Sequence, residues 1–351
     1  MSNDSLRYRC QVALPGFGEK SQQKLQMAKV LIVGGGGLGC PAAIYLVSAG
    51  IGTVGIADFD LVSSTNLHRQ VLYGPDDIGQ KKAVVACTKL QQQNPLVNLL
   101  AHDIEINCLN VMEIIRPYDV ILDATDNFET KYLLNDACVL LGKPLVYGAI
   151  YQYEGQAAIW NVANTDGSYS PNYRDLFTNV KESEIPNCAE AGVLPTIAGI
   201  IGIIQANEVI KYLTNIGELL KAKLLVFDAE TMQSRIIKLT NVTKTLITQL
   251  PQSSVASFIT AQELKNNISK DCYHLIDVRD AAEREKFHIG GEHVPLAEIE
   301  HHIQKLTYGK PIVFYCASGR RSVEAVKKVG SFLKTKAFSL QGGLEAWKQL
   351  I

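Results

Sequence analysis

The glycine run from Gly34 to Gly39 constrains this chain more than any other stretch. It follows Val30-Leu-Ile-Val33, a short apolar strand, and precedes a helical stretch that reaches Ser48. Gly34-x-Gly36-x-x-Gly39 at a strand-to-helix turn lets the backbone approach a phosphate and aims N–H groups at it, aided by the helix dipole. Asp58 ends the next strand, Gly52–Asp58, about where an acidic residue would bind a ribose hydroxyl. On these residues alone two readings are open: an NAD-binding domain, or a glycine turn that only packs helix on strand.

The following residues favour a nucleoside triphosphate. Asp58-Phe-Asp60 leads to Asn66-Leu-His-Arg69-Gln70, then Gln80-Lys81-Lys82, then Asp123-Ala-Thr-Asp126-Asn127. A dinucleotide has no need of this ordered set. A triphosphate is highly anionic, which suits Arg and Lys. A carboxylate such as Asp126 suits Mg²⁺, a hard cation that prefers oxygen ligands.

The remaining organisation is that of an α/β protein. Up to about residue 240, strand-like segments alternate with helix-like ones, the pattern of a mostly parallel sheet. Val120–Asp123 reads as a strand, Gly79–Gln92 as a helix stopped by Asn94-Pro95, and Phe128–Leu141 as a helix ended by Gly142. Residues 243–257, rich in Thr, Ser and Gln, read as a linker. Thr260-x-x-Glu263 then opens a helix with a capping box, and a smaller α/β unit fills 258–351. The expected domains are therefore 1–242 and 258–351. With 351 residues and 34 Lys plus Arg against 35 Asp plus Glu, the net charge is −1. That excludes a bulk nucleic-acid or membrane-surface binder. The apolar run Ala191–Ala206 is too short for a membrane span and is broken by Pro195, Gly199 and Gly202, so it reads as a buried helix or a subunit contact. Eight cysteines occur, at 10, 40, 87, 108, 138, 188, 272 and 316, with no C-x-x-C pair and no signal-peptide pattern before them. They read as thiols of a cytoplasmic protein. Cys40, Cys87, Cys108 and Cys138 are expected to be buried, and Cys272 to be structural.

VLIVGGGGLGCPAAIYLVSAGIGTVGIADFDLVSSTNLHRQVLY, DATDNFETKYLLNDAC and NCAEAGVLP together resemble the ubiquitin-activating-enzyme-like adenylyltransferases. That family includes the molybdopterin-synthase and thiamine-biosynthesis sulfur-carrier enzymes. The resemblance covers about residues 6–240 and implies a Rossmann-like domain that uses ATP and Mg²⁺. Such an enzyme activates the C-terminal glycine carboxylate of a ubiquitin-like sulfur carrier as an acyl adenylate. It implies nucleotide contacts from Gly34, Gly36 and Gly37, with Asp58 on the ribose. Asp60, Asn66, Arg69 and Lys82 would lie at the nucleotide, the last three on the triphosphate, and Asp126 would place Mg²⁺. Cys188 matches the family's reactive cysteine. Family members are homodimers, so a homodimer is expected.

Two departures stand out. The family reads Arg-Tyr-x-Arg-Gln near its N-terminus, the second Arg reaching the partner subunit's ATP site. Here the run is Arg7-Tyr8-Arg9-Cys10-Gln11, so Arg9 stands one residue early. On a strand, that step turns a side chain to the opposite face. Many relatives also carry two C-x-x-C pairs that hold zinc. Here Asn172-Tyr-Arg-Asp175 stands at the first and no second pair follows, so no zinc is expected.

A second constellation, Cys316-Ala-Ser-Gly319-Arg320-Arg321-Ser322, follows the apolar strand Ile312-Val-Phe-Tyr315 and opens a helix. Loop N–H groups and a helix N-terminus favour a thiolate nucleophile, and Arg321 adds positive charge. The Cys-x4-Arg spacing is one residue shorter than the Cys-x5-Arg of cysteine phosphatases and suits a terminal sulfur. With Leu275-Ile-Asp-Val-Arg279 and Leu340-Gln-Gly-Gly343-Leu-Glu-Ala-Trp347, the segment resembles the rhodanese sulfurtransferases over about 258–351. That resemblance implies a persulfide on Cys316. Together the two halves point to a carrier adenylyltransferase that also thiolates its carrier, with sulfur from a cysteine-desulfurase-type or other donor. The alternatives are an adenylyltransferase whose rhodanese domain serves docking only, and a carrier-binding module without turnover.

Overall fold

The computed structural model describes residues 6–178, 192–251, 257–268, 270, 272–303, 309–329 and 335–350. The chain divides into two compact units, Met1–Pro251 and Gln252–Ile351.

The first unit is built on eight strands: β1 (Lys29–Val33), β2 (Thr53–Ala57), β3 (Asn98–His102), β4 (Val120–Asp123), β5 (Leu145–Tyr151), β6 (Glu154–Trp160), β7 (Lys223–Asp228) and β8 (Gln233–Lys238). Their order is β3-β2-β1-β4-β5-β6-β7-β8, parallel from β3 to β5 and antiparallel from there to β8. β1 lies inside the sheet with layers on both faces, which is why Val30 to Val33 form an unbroken apolar run. Val30 and Ile32 enter one core with Leu46 and Val54, while Leu31 and Val33 enter the other with Ile121 and Leu134. That split follows the two-residue period of a strand.

The Gly39–Ser48 helix buries its Cys40, Ala42, Ala43, Leu46 and Val47. The apolar run around 191–206 forms most of a long helix, Pro195–Thr214, which packs against it. A Cβ on Gly202 would press into the Leu38 carbonyl and lie 2.7 Å from the Pro41 ring, so glycine sets how closely these helices approach. The Phe128–Leu141 helix starts at Asn127, whose side chain accepts the Thr130 N–H, and ends at left-handed Gly142. One boundary differs from expectation: the helix placed at Gly79–Gln92 runs Lys82–Gln93 instead. Gly79 has φ of 84° and its N–H donates to the Val62 carbonyl, which holds this stretch off the helical path.

The second unit carries a wholly parallel sheet of β9 (Ser257–Ile259), β10 (His274–Asp277), β11 (Glu292–His293), β12 (Ile312–Tyr315) and β13 (Ala337–Leu340), in the order β11-β10-β12-β13-β9. Every residue of central β12 is buried. The Glu263 N–H donates to the Thr260 hydroxyl at 3.1 Å, completing that half of the expected cap. The helix expected from Ser322 begins at Arg320.

Cys40 and Cys138 are buried, and burial pushes the Cys40 thiol up to about 12. Cys87 and Cys108 are only half-buried. Cys272 is exposed ahead of β10. Among the described residues, no helix is long and apolar enough to cross a membrane.

Candidate functional sites

β1, β2 and β4 end side by side, and the chain order reverses between β1 and β4. In open parallel sheets, ligands bind outside the carboxyl ends of the strands at such a reversal. The glycine run sits there. Gly34 has φ of 99°, and a Cβ on it would lie 2.6 Å from the Ala124 carbonyl oxygen, so the turn after β1 lies against the turn after β4. The N–H of Gly35 donates to Asp58 Oδ2 at 2.7 Å and that of Asp60 to Asp58 Oδ1 at 2.8 Å. The Tyr73 hydroxyl donates to the Gly35 carbonyl at 2.8 Å. A Cβ on Gly39 would overlap the Gly34 carbonyl.

Gly36 differs from its neighbours. A Cβ on it would meet only Gln70 Nε2, at 3.5 Å, so the backbone there faces open space of the kind a phosphate needs. Beside it, Gly37 lies against the Arg69 side chain, whose Cγ and Cδ would be 3.6 Å from an added Cβ. Arg69 Nη2 donates to Asn66 Oδ1 at 3.0 Å. Lys82 is buried, and its ammonium donates to Asp60 Oδ2 at 2.9 Å. Burial raises the Asp58 carboxyl; Lys82 and the two N–H groups pull it back, and the net direction is upward. The fold thus brings together Gly34, Gly36, Gly37, Asp58, Asp60, Asn66, Arg69 and Lys82. Asp126 is exposed on the segment that leaves β4 at the same sheet edge.

These residues fit ATP: an open glycine cradle, a cation laid beside it and a carboxylate at the end of β2. No group of three or more His, Cys, Asp or Glu able to hold a metal occurs among the described residues. Mg²⁺ asks for less, since it binds through one or two carboxylates with phosphate oxygens and water. Asp126 would supply one such carboxylate.

Four buried polar groups at this edge, Asp123, Lys131, Gln205 and Gln70, are not among the site residues expected from the sequence. Asp123 accepts the Lys131 ammonium at 3.0 Å and both the N–H and the hydroxyl of Thr125. Lys131 also donates to the Gly148 carbonyl at 2.9 Å. Gln205, reaching in from the Pro195–Thr214 helix, donates to the Asp123 carbonyl at 2.7 Å. Gln70 is buried, and its Oε1 has no hydrogen-bond partner beside Gly36. The Asn66-x-x-Arg69-Gln70 run carries that last signal, one residue past Arg69.

Arg9 does not join the loop in this chain. It stands exposed on a short helix, Arg9–Val12, not on a strand, so one residue of displacement turns it by about 100° and not 180°. Tyr8 anchors this segment against Gly50 and accepts a hydrogen bond from Asn94 Nδ2 at 2.9 Å. Gly50 follows the far end of the Gly39–Ser48 helix. Cys188 lies outside the described residues.

Asn172 and Asp175 are engaged in hydrogen bonding. The Asp175 carboxylate accepts the Thr243 hydroxyl (2.6 Å), the Lys244 N–H (2.9 Å), the Thr245 N–H and hydroxyl (2.8 Å each) and the Asn172 N–H (2.8 Å). Asn172 Nδ2 donates to the Thr243 hydroxyl at 2.7 Å. The start of the segment read as linker is thereby pinned to 172–175. Burial pushes the Asp175 carboxyl up, but the hydrogen bonds outweigh it and the net direction is downward.

In the second unit, the Cys316 sulfur is buried at the end of β12. It accepts the Gly319 N–H at 3.2 Å and lies 3.6 Å from the Ser322 hydroxyl. That hydroxyl reaches the Gly319 carbonyl at 2.9 Å and the Ser339 hydroxyl at 2.8 Å. The loop's outer carbonyls are held from the other side, where Leu344 N–H donates to the Cys316 carbonyl and Glu345 N–H to that of Ala317. Gly343 must be glycine here, because a Cβ would lie 2.5 Å from both carbonyl oxygens. Both terminal nitrogens of Arg321 donate to the Glu283 carboxylate, at 2.7 Å each. That pairing holds the Glu283 carboxyl down at about 2.

A family model described as the ThiF family matches residues 8–246, and one described as the rhodanese-like domain matches residues 260–350. The probable adenylyltransferase/sulfurtransferase MoeZ of Mycobacterium tuberculosis is 40% identical over 361 residues, spanning 97% of this chain and 92% of that protein. The sulfur carrier protein adenylyltransferase of Thermus thermophilus is 48% identical over 224 residues, 64% of this chain and 83% of that protein. The adenylyltransferase and sulfurtransferase MOCS3 of Drosophila grimshawi is 38% identical over 388 residues, 100% of this chain and 86% of that protein. The crystal structure of E. coli MccB with ATP superposes with a TM-score of 0.57 at 22% identity, covering 65% of this chain and 68% of that one, a likeness of fold.

Proposed function

The chain belongs to the ThiF family and carries a rhodanese-like domain after the matched region; from that premise we propose that it is a cytoplasmic, homodimeric adenylyltransferase and sulfurtransferase of a ubiquitin-like sulfur carrier. ATP lies with its phosphates on Gly36 and its ribose on Asp58. Arg69 and Lys82 neutralise the triphosphate and Asn66 holds Arg69, with Asp60 holding Lys82, and Asp126 would hold Mg²⁺. The carrier's C-terminal glycine carboxylate attacks the α-phosphorus and pyrophosphate leaves. The nucleophile is already ionised at neutral pH, so no general base is required. The protein's task is positioning and charge neutralisation.

The second unit supplies sulfur. A persulfide on Cys316 attacks the activated carbonyl and AMP leaves, giving an acyl disulfide between carrier and Cys316. The Cys188 thiolate attacks the Cys316 sulfur of that disulfide. The carrier departs as its thiocarboxylate, and a Cys188–Cys316 disulfide remains for a thiol reductant to open. Arg9, remote from the loop in its own chain, is assigned to the partner subunit's ATP site.

The open backbone at Gly36 with Arg69 beside it supports the first half of this reading most directly. The test is ATP–pyrophosphate exchange in the presence of a carrier ending in Gly-Gly. Exchange that requires both carrier and Mg²⁺ is expected. Absence of exchange with every carrier tried would remove adenylylation from the account.

A further inference from the structure

Arg321 is the guanidinium nearest in sequence after the Cys316 loop to be fixed by a carboxylate, and its partner comes from another element. Glu283 lies 38 residues away, at the third position of the Ala281–Lys286 helix, and takes both terminal nitrogens of Arg321. Asp280, the residue capping that helix, adds a second carboxylate 3.7 Å from Arg321 Nη1. Paired in this bidentate geometry, a guanidinium presents little net charge to an incoming anion. Two other arginines at this edge are turned inward as well. Arg279 is bound to Asp277 at 2.6 Å, and Arg284 donates to the Gly291 carbonyl at 2.6 Å. Arg320 is exposed and lines a shallow groove beside the loop with Phe258, Ser318, Val323 and Leu340. The charges of Asp280, Glu283, Arg320 and Arg321 cancel, and Phe258, Val323 and Leu340 make the groove wall largely apolar.

Resting on the reading of Cys316 as the sulfur bearer, we propose that Glu283 is a specificity-determining residue: by occupying Arg321 it disfavours dianionic sulfoxy donors relative to hydropersulfides. The two donors load the same atom by balanced steps. With a hydropersulfide R–S–SH, the Cys316 thiolate attacks the terminal sulfur, the S–S bond breaks, and RS⁻ leaves Cys316–S–SH. With thiosulfate, the thiolate attacks the outer sulfur and sulfite leaves as the dianion, giving Cys316–S–S⁻. The second route brings two negative charges to a thiolate and discharges two again, so it needs a guanidinium that is not already neutralised. The first route brings at most one. A small-molecule persulfide and a protein persulfide share this chemistry.

The experiment is single-turnover sulfur loading of the full chain, read by intact mass, with thiosulfate, glutathione persulfide and a persulfidated cysteine desulfurase as separate donors. Wild type is compared with Glu283→Gln and Glu283→Asp. Glutamine at this position keeps the hydrogen bond to the Asp280 N–H that a capping box requires, so the helix start survives, which an unchanged unfolding midpoint checks. In Glu283→Gln the ratio of thiosulfate to persulfide rate constants rises roughly tenfold or more at low salt, within the range of electrostatic focusing. The gain shrinks toward 1 M salt, where screening acts over about 3 Å. Glu283→Asp, which retains the charge, stays closer to wild type. An unchanged ratio, or a rise insensitive to salt, overturns the assignment of Glu283. No loading of Cys316 from any donor, in wild type or variant, overturns instead the reading of Cys316 on which it rests. Faster loading from the desulfurase than from glutathione persulfide in wild type identifies a protein as the source.

Discussion

Replacing Gly36 with alanine separates the nucleotide role proposed for the glycine run from its structural role. Gly36 is not in the left-handed region, so alanine adopts its backbone without strain, and the added Cβ has its nearest neighbour, Gln70 Nε2, at ordinary contact distance of 3.5 Å. Stability should therefore change by less than about 1 kcal/mol, with a gain expected from the reduced freedom of the unfolded chain. A phosphate on this backbone is a different matter. Its oxygens must come to about 2.9 Å from the loop N–H groups, space the new methyl crowds. Losing one hydrogen bond to a charged group, worth about 1.5–3 kcal/mol, weakens ATP binding roughly 10- to 150-fold. Gly39→Ala provides the contrast, because its Cβ would overlap the Gly34 carbonyl and disrupt the turn itself. Urea unfolding and ATP titration calorimetry on both variants give the four numbers needed. A Gly36→Ala protein that binds ATP as tightly as wild type would refute the placement of the phosphates.

Three further substitutions probe groups described above. Asp175 has a depressed folded pKa, so its contribution to stability is present above the unfolded value of about 3.9 and is lost as pH falls through the folded one. Asp175→Asn should lower stability at pH 7 by about 1–3 kcal/mol and flatten the acid limb of a urea-midpoint-versus-pH curve below about pH 4; an unchanged acid limb contradicts this. Lys131→Met leaves the buried Asp123 carboxylate with only Thr125 as donor, costing about 3–5 kcal/mol, part of which Asp123→Asn in the same chain should restore. A fully additive double variant argues against the pair. Ser322→Ala removes the hydroxyl that joins Cys316, Gly319 and Ser339, and should lower the unfolding free energy of the second unit by about 1–3 kcal/mol, read from Trp347 fluorescence. No change would show that Ser339 and the Gly319 carbonyl find other partners.

What could be read from the chain was what local pattern encodes. Burial on both faces gave β1 and β12 their continuous apolar runs, and Asn127 and Gly142 bracket a helix that runs Phe128–Leu141. The glycine run and the Cys316 loop carry their own spacing. The antiparallel extension was not legible because β8 is exposed along its whole length and shows no apolar alternation. Partners far apart in sequence were equally hidden. Nothing local in Lys131 announces that it will meet both Asp123 and the Gly148 carbonyl, and nothing in Arg321 that Glu283 will claim it. The strand geometry expected around Arg9 fails because a helix of four residues, Arg9–Val12, is too short to show a period in the sequence.

In the proposed function one chain both activates a carrier carboxylate and replaces one of its oxygens with sulfur borne on Cys316. The direct measurement is intact mass of a Gly-Gly carrier after incubation with the chain, ATP, Mg²⁺, a persulfide donor and a thiol reductant, using wild type and Cys316→Ser. The wild-type reaction should yield a carrier with one oxygen exchanged for sulfur, and Cys316→Ser only adenylylated or unmodified carrier. Equal thiocarboxylate from both proteins would contradict it, since the sulfur would then have reached the carrier without Cys316.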